Sequence, residues 1–184
     1  DTYNGQVINI NLAGLLTPTI VTPATPINGG SVPVLDTPTG RVNIPPGTPA
    51  GQYQIKYRIC ENLNTPNSNL PNSSNCDDAV LIINVIAPPI VATDDTVLNV
   101  NGYTGAPDVI NAFDNDRLNG GVLNLPTITR TIISAPSGSS VPVFDTSTGL
   151  VTVPPGTAAG EYKIVYQICE TLNPTNCDVA TITV

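Results

Sequence analysis

The residues of this chain best suited to chemistry are four cysteines, and they fall in two pairs. Cys60 and Cys76 bracket ICENLNTPNSNLPNSSNCD, and Cys169 and Cys177 bracket ICETLNPTNCD. A thiol pair can hold a metal, exchange electrons or close a disulfide. The gaps contain fifteen and seven residues inside one shared frame, so the pairing tolerates a change of loop length. A zinc cage keeps tight ligand spacing, and C-x15-C and C-x7-C match no common zinc pattern. The chain has no histidine to complete such a cage and no redox C-x-x-C. The lack of histidine also excludes serine-histidine triads and histidine-activated thiols.

Carboxylates are the other reactive groups. Asp94 and Asp95 lie in ATDDT, and Asp114, Asn115 and Asp116 lie in AFDNDRLNGG. Glycoside hydrolysis needs two acids facing across a cleft, but most of the remaining acids sit in turns, such as Asp36 and Asp145, or beside cysteines. An isopeptide crosslink needs a buried lysine near Asn and an acid. Lys56 and Lys163 occupy non-equivalent places, opposite the tyrosine-bearing side of their strands. No catalytic residues are expected, and the chain is read as not an enzyme.

The elements that carry these residues repeat. SVPVLDTPTGRVNIPPGTPAGQYQIKYRIC, from Ser31 to Cys60, returns as SVPVFDTSTGLVTVPPGTAAGEYKIVYQIC from Ser140 to Cys169, at a constant offset of 109 residues. Past the first cysteine the first copy carries eight extra residues, and the match resumes at Cys76 and Cys177. Two domains follow, residues 1–87 and 88–184, joined at IAPPI, where Pro88-Pro89 favours an extended, stiff joint. Short Val-, Ile- and Thr-rich runs between Pro and Gly predict an all-β fold with no helix. In the second copy, strands are expected over residues 96–100, 109–113, 125–134, 141–144, 150–153, 161–169 and 179–184. Seven strands in such a length predict two tandem immunoglobulin-like, Greek-key β-sandwich domains.

Alternation places Tyr162, Ile164, Tyr166 and Ile168 on one face, the expected core face. In this layout each cysteine pair ends strand six and begins strand seven, which are antiparallel neighbours. Opposed residues there lie close enough for a disulfide, and the loop between can vary freely. Cys60–Cys76 and Cys169–Cys177 are therefore expected as disulfides, which implies an oxidising, extracytoplasmic location.

The same layout gathers the acids. The entry into the second domain and the loops after its second and sixth strands share the sandwich end that faces the first domain. Asp94, Asp95, Asp114, Asn115 and Asp116 then converge, with Glu170 and Asp178 beside them. Gathered carboxylates repel unless a hard cation sits among them, and Ca²⁺ accepts about six to eight oxygens from irregular loops. The alternative is a solvated acidic end with local Asx turns. The Asn-rich insertion over residues 62–75 is expected to be a solvated loop.

Net charge is −8, with six basic residues that form no cluster, which argues against a nucleic-acid partner. No apolar run approaches the about 18–20 residues of a bilayer span. The sequence opens without a signal-peptide pattern and stops within a strand, so a piece of a longer chain is expected.

The run VPPGTAAGEYKIVYQICETLNPTNCDVATITV resembles repeats of very large secreted surface proteins of Bacteroidetes, including gliding-motility adhesins. The PPGT-x-AG-x-Y element and the ICE-x-LNPTNCD hairpin are its specific parts, and they cover about half of each domain. ATDDT followed by an ND-x-x-x-NG loop is similar to the opening of bacterial Ig-like and cadherin-like adhesin repeats, in which junctional acids often hold calcium. Asp94, Asp95, Asn115 and Asp116 match that pattern, with Arg117 departing from it.

The resemblance implies an exported adhesin on a bacterial cell surface. This chain would be part of its stalk, with neighbouring repeats of the same chain as partners and an extracellular surface or polysaccharide as the target of the whole protein. Two other readings stand beside it. One is a carbohydrate- or protein-binding module, against which the absence of Trp weighs; the other is an accessory region of a secreted hydrolase.

Overall fold

β-Branched runs punctuated by Pro, Gly or Asn favour strands over helices. The computed structural model is correspondingly all-β apart from one 3₁₀ turn. It describes residues 2–3, 6–7, 16–61 and 75–184. The chain divides into two compact units, Asp1–Ile86 and Ala87–Val184. No helix among the described residues is long and apolar enough to cross a membrane.

In the first unit, β1 (Thr2–Tyr3) pairs with β2 (Gln6–Val7). Three longer strands, β3 (Leu16–Thr22), β6 (Gly51–Glu61) and β7 (Cys76–Val85), form an antiparallel sheet in the order β3-β6-β7. Between them the hairpin of β4 (Val34–Asp36) and β5 (Arg41–Asn43) turns through DTPTG. Ala24, Leu35, Tyr53 and Ile55 form the buried core of this unit.

The second unit begins with β8 (Ile90–Val91) and β9 (Asp95–Thr96), followed by β10 (Ala106–Asn111). A hairpin of β11 (Arg117–Leu118) and β12 (Gly121–Val122) comes next, then β13 (Ile128–Ser134). The chain continues through β14 (Val143–Phe144), β15 (Leu150–Val153), β16 (Lys163–Glu170) and β17 (Cys177–Thr183). One sheet has the order β13-β16-β17-β9, a second β10-β15-β14, and β12-β11-β8 form a short third. Phe113, Phe144 and Val151 on one side meet Ile164, Tyr166, Ile168 and Ile182 on the other in a single core. The Phe113, Phe144 and Tyr166 rings lie 5.2–5.9 Å apart, mostly edge to face, as aromatic quadrupoles favour.

The sequence repeat is a repeat of hydrogen bonds. In the two DTxTG turns, the amides of Gly40 and Gly149 donate to the carbonyls of Asp36 (2.7 Å) and Asp145 (2.8 Å). In the two PPGT turns, the hydroxyls of Thr48 and Thr157 each donate to the first proline's carbonyl at 2.7 Å. Tyr53 and Tyr162 then reach back to the carbonyls of Pro49 (2.9 Å) and Ala158 (2.8 Å). Both cysteine pairs are closed, between residues directly opposite one another on paired strands, with Cα atoms 4.1 Å apart. By loop entropy each bridge stabilises its unit by about 2–3 kcal/mol.

Several expected strand limits move. The strand placed at residues 96–100 ends at Thr96, apart from one further bond from the Val97 amide to Thr183 (2.9 Å), and Asn99 takes a left-handed φ of 62°. That placed at 125–134 begins as a 3₁₀ turn, Leu125–Thr127, because Pro126 lacks an amide for the ladder. Strand six starts at Lys163, so Tyr162 lies outside it and is only half-buried, while Ile164, Tyr166 and Ile168 are fully buried. The β11–β12 hairpin was not expected. Its Asn119-Gly120 loop has φ of 52° and 73°, the mirror-image turn that matches strand twist. Residues 62–74 of the expected Asn-rich loop lie outside the described residues.

Candidate functional site: the acidic cluster of the second unit

β9 is two residues long because it pairs with only the last two residues of β17, Ile182 and Thr183. β9 runs parallel to β17, with Asp95 opposite Ile182, and Asp94 Oδ1 accepts the amide of Thr181 at 2.8 Å. The loop between β10 and β11 brings Asp114, Asn115 and Asp116 against this edge. Arg117 holds that loop by donating through Nη1 to the carbonyls of Asp114 and Asp116, both at 2.7 Å. Asp178 closes the group, its Oδ2 accepting the Ala92 amide at 2.9 Å.

Two of these carboxylates are deep. Asp116 is fully buried and Asp95 is 6% exposed. Asp116 Oδ1 accepts the Thr93 amide at 2.8 Å, and its Oδ2 lies 2.9 Å from the Tyr166 hydroxyl. That hydroxyl is also 3.1 Å from the carbonyl of Ala112. It has one proton for two acceptors, so an ionised Asp116 and Ala112 compete for it, whereas a protonated Asp116 would donate to Tyr166 and satisfy both. Burial, and then repulsion from Asp178, pushes the Asp116 carboxyl above its ordinary range against the hydrogen bonds that favour its charge. Burial and the adjoining Asp116 charge likewise push up Tyr166.

Asp95 pairs with Asn115, whose Nδ2 donates to Asp95 Oδ1 at 2.9 Å. The other oxygen of each group, Asp95 Oδ2 and Asn115 Oδ1, is buried without a hydrogen-bond partner. An unmatched buried acceptor costs about 1–3 kcal/mol, and here two occur on the same pair of side chains. Burial and then repulsion from Asp116 raise the Asp95 carboxyl to about 6. Two acceptors with no donor can be reconciled by a proton on Asp95 or by a cation.

All five residues singled out for calcium are thus in one neighbourhood. The expected cage is not. Among the described residues, no group of three or more His, Cys, Asp or Glu is placed to share a metal ion. Asp94, Asp116 and Asp178 spend oxygens on backbone amides and Tyr166, and Asp114 is exposed. Glu170 does not join the cluster. Its Oε2 accepts from Asn173 (2.7 Å) and Asn176 (3.1 Å) and so organises its own hairpin. The lysines lie in ion pairs, Lys56 with Asp78 (2.8 Å) and Lys163 with Glu161 (3.1 Å), and both lysine side chains are exposed.

The residue that sequence reasoning missed is Tyr166. It was placed on the core face, and a buried tyrosine hydroxyl needs a partner; that signal could have pointed to a buried acid.

No family model matches this chain, and no curated protein matches it in sequence. Among solved structures it is similar to human CDH23 EC21-23, with 15% identity, a TM-score of 0.38, and 97% of this chain and 60% of that one covered. It is also similar to Drosophila N-cadherin EC1-3, with 13% identity, a TM-score of 0.35, and 92% and 54% covered. A third is BT4661, a SusE-like surface-located polysaccharide-binding protein of Bacteroides thetaiotaomicron, with 13% identity, a TM-score of 0.29, and 91% and 28% covered. The chain therefore spans at most about three-fifths of the length of these structures.

Proposed function

We propose that this chain is a stalk section of a large bacterial cell-surface adhesin of the gliding-motility kind, built from two tandem Ig-like β-sandwich repeats. The observation that carries the reading is the duplication of one set of DTxTG and PPGT turns with the same hydrogen bonds, and a disulfide at the same strand register in each copy. Such a unit adds length and resists force and proteolysis without needing a reacting group, and disulfides suit an oxidising, extracellular setting. The partners are neighbouring repeats, and adhesion belongs to the whole protein. Chemistry is not part of this role.

Single-molecule stretching of the oxidised chain tests it. Two unfolding events are expected, each releasing less chain than its length, because residues between the cysteines stay locked. Reduction should add about 3.3–3.6 Å per freed residue. Gradual, low-force extension would remove the mechanical role. Deleting the repeats in the producing cell should shorten its surface filaments and weaken attachment.

A second reading, that Ca²⁺ stiffens the stalk, rests on two atoms, Asp95 Oδ2 and Asn115 Oδ1. They would supply two of its oxygens, leaving the rest to backbone carbonyls and water. A calcium-dependent rise in melting temperature that disappears in Asp95→Ala tests this reading. No rise in millimolar CaCl₂ would end it.

A further inference from the structure

Away from the acidic cluster, the second unit holds one tyrosine almost wholly in solvent on a loop that is anything but loose. Tyr103 is 88% exposed. Asn101 Oδ1 accepts the amides of Tyr103 (3.0 Å) and Thr104 (3.4 Å), and the Asn101 carbonyl accepts Gly105 (2.9 Å). The carbonyl of Gly102 accepts the amides of Gly156 (2.8 Å) and Thr157 (3.0 Å) from the PPGT turn. A Cβ on Gly102 would lie 2.2 Å from the carbonyl oxygen of Thr157, so loop and turn meet as closely as only glycine allows. Tyr162, fixed by its bond to Ala158, stands at the same place.

Both tyrosines line an open pocket of about 590 Å³ together with Asn99, Asn101, Val153 and Thr157. This volume is within the usual range for small-ligand sites. No Asp, Glu, Lys or Arg side chain lines it. The counterpart of Tyr162 in the first unit, Tyr53, makes the same backbone bond but is 2% exposed.

We propose that this pocket binds a neutral saccharide. Tyr103 offers a pre-positioned ring face for the C–H face of a pyranose. Asn101 spends its side-chain oxygen on the loop and keeps its NH₂ for a hydroxyl, and Asn99 supplies a second amide. The absence of Lys and Arg from its walls, in a chain of net charge −8, disfavours sulfated and uronic-acid glycans, which need cationic contacts. An extended peptide would need a strand edge to pair with, and the backbone here is turned back on itself. The site goes beyond the stalk role, since a stalk needs no ligand.

The test uses the whole 184-residue chain against cello-, xylo-, manno- and laminari-hexaose, with heparin as the charged control. Amide chemical-shift mapping provides the readout. At least one neutral oligosaccharide should bind, with shifts confined to residues 99–105 and 153–162. Tyr103→Ala should weaken binding by about tenfold or more with no change in melting temperature, because the side chain is exposed. Tyr103→Phe should retain it. Absence of binding to every neutral sugar at millimolar concentration would overturn the proposal. So would preference for heparin, shifts mapping elsewhere, or undiminished binding by Tyr103→Ala.

Discussion

Replacing Asp95 by Asn should make the second unit more stable at neutral pH. Asp95 and Asn115 share one hydrogen bond and leave two acceptors facing no donor. An amide at position 95 keeps the acceptor for Asn115 Nδ2 and adds an NH₂ that can donate to Asn115 Oδ1. It also removes a charge that burial and Asp116 both disfavour. A rise of the carboxyl from 3.8 to about 6 corresponds to about 3 kcal/mol between its two protonation states. Allowing for imperfect fit of the amide, a gain of about 1–3 kcal/mol is expected, or a melting-temperature rise on the order of 5–15 °C.

The sign of the pH dependence follows from the same shift. A carboxyl whose folded value is raised binds its proton more tightly in the folded chain. Its contribution to stability is therefore largest below 3.8 and declines as pH rises to about 6. Asp116 acts in the same direction. Asp78 and Asp145 are shifted the other way, so their contribution is lost only below 3.8, outside this window. In EDTA the wild type should thus melt higher near about pH 5 than near about pH 7.5, and Asp95→Asn should flatten that difference. Calorimetry in EDTA at both pH values decides. A substitution that lowers the neutral-pH melting temperature, or a wild type more stable at the higher pH, would refute the account of Asp95.

Other perturbations separate the remaining contributions. Tyr166→Phe strips Asp116 Oδ2 and the Ala112 carbonyl of their shared donor; it should cost about 1–3 kcal/mol by denaturant titration, with little change in fold. Reducing Cys169–Cys177 should lower stability by about 2–3 kcal/mol, read as a shift in the urea midpoint of the second unit. Ile164→Ala, at a position with no exposure between the two sheets, should cost about 2–5 kcal/mol and serve as the core benchmark.

The strands, the disulfides and the repeat are legible in the sequence because each depends on local patterning. Alternation at Ile164, Tyr166 and Ile168 fixes which way β16 faces, and the DTxTG and PPGT turns carry their own hydrogen-bond geometry. Cysteines at the ends of adjacent antiparallel strands meet whatever the loop between them does. The limits of β9 and β13 were harder to read. Whether residues after Thr96 stay extended depends on the length of ladder that β17 offers, and the chain leaves it at Asn99.

The gathering of Asp94, Asp95, Asp114, Asn115 and Asp116 was also accessible from topology. Their chemical state was not. Asp95 and Asp116 look in sequence like neighbours in solvated acidic runs, yet both are buried, and the partner that holds Asp116 is a tyrosine fifty positions away. By itself the sequence determined an all-β duplicated scaffold with a closed cystine in each copy, because backbone propensity and cysteine placement act over a few residues. Only the tertiary structure decided that the acids turn inward onto amides and a hydroxyl, and that Tyr103 stands out in solvent. Burial and partnership are set by which distant segments pack together.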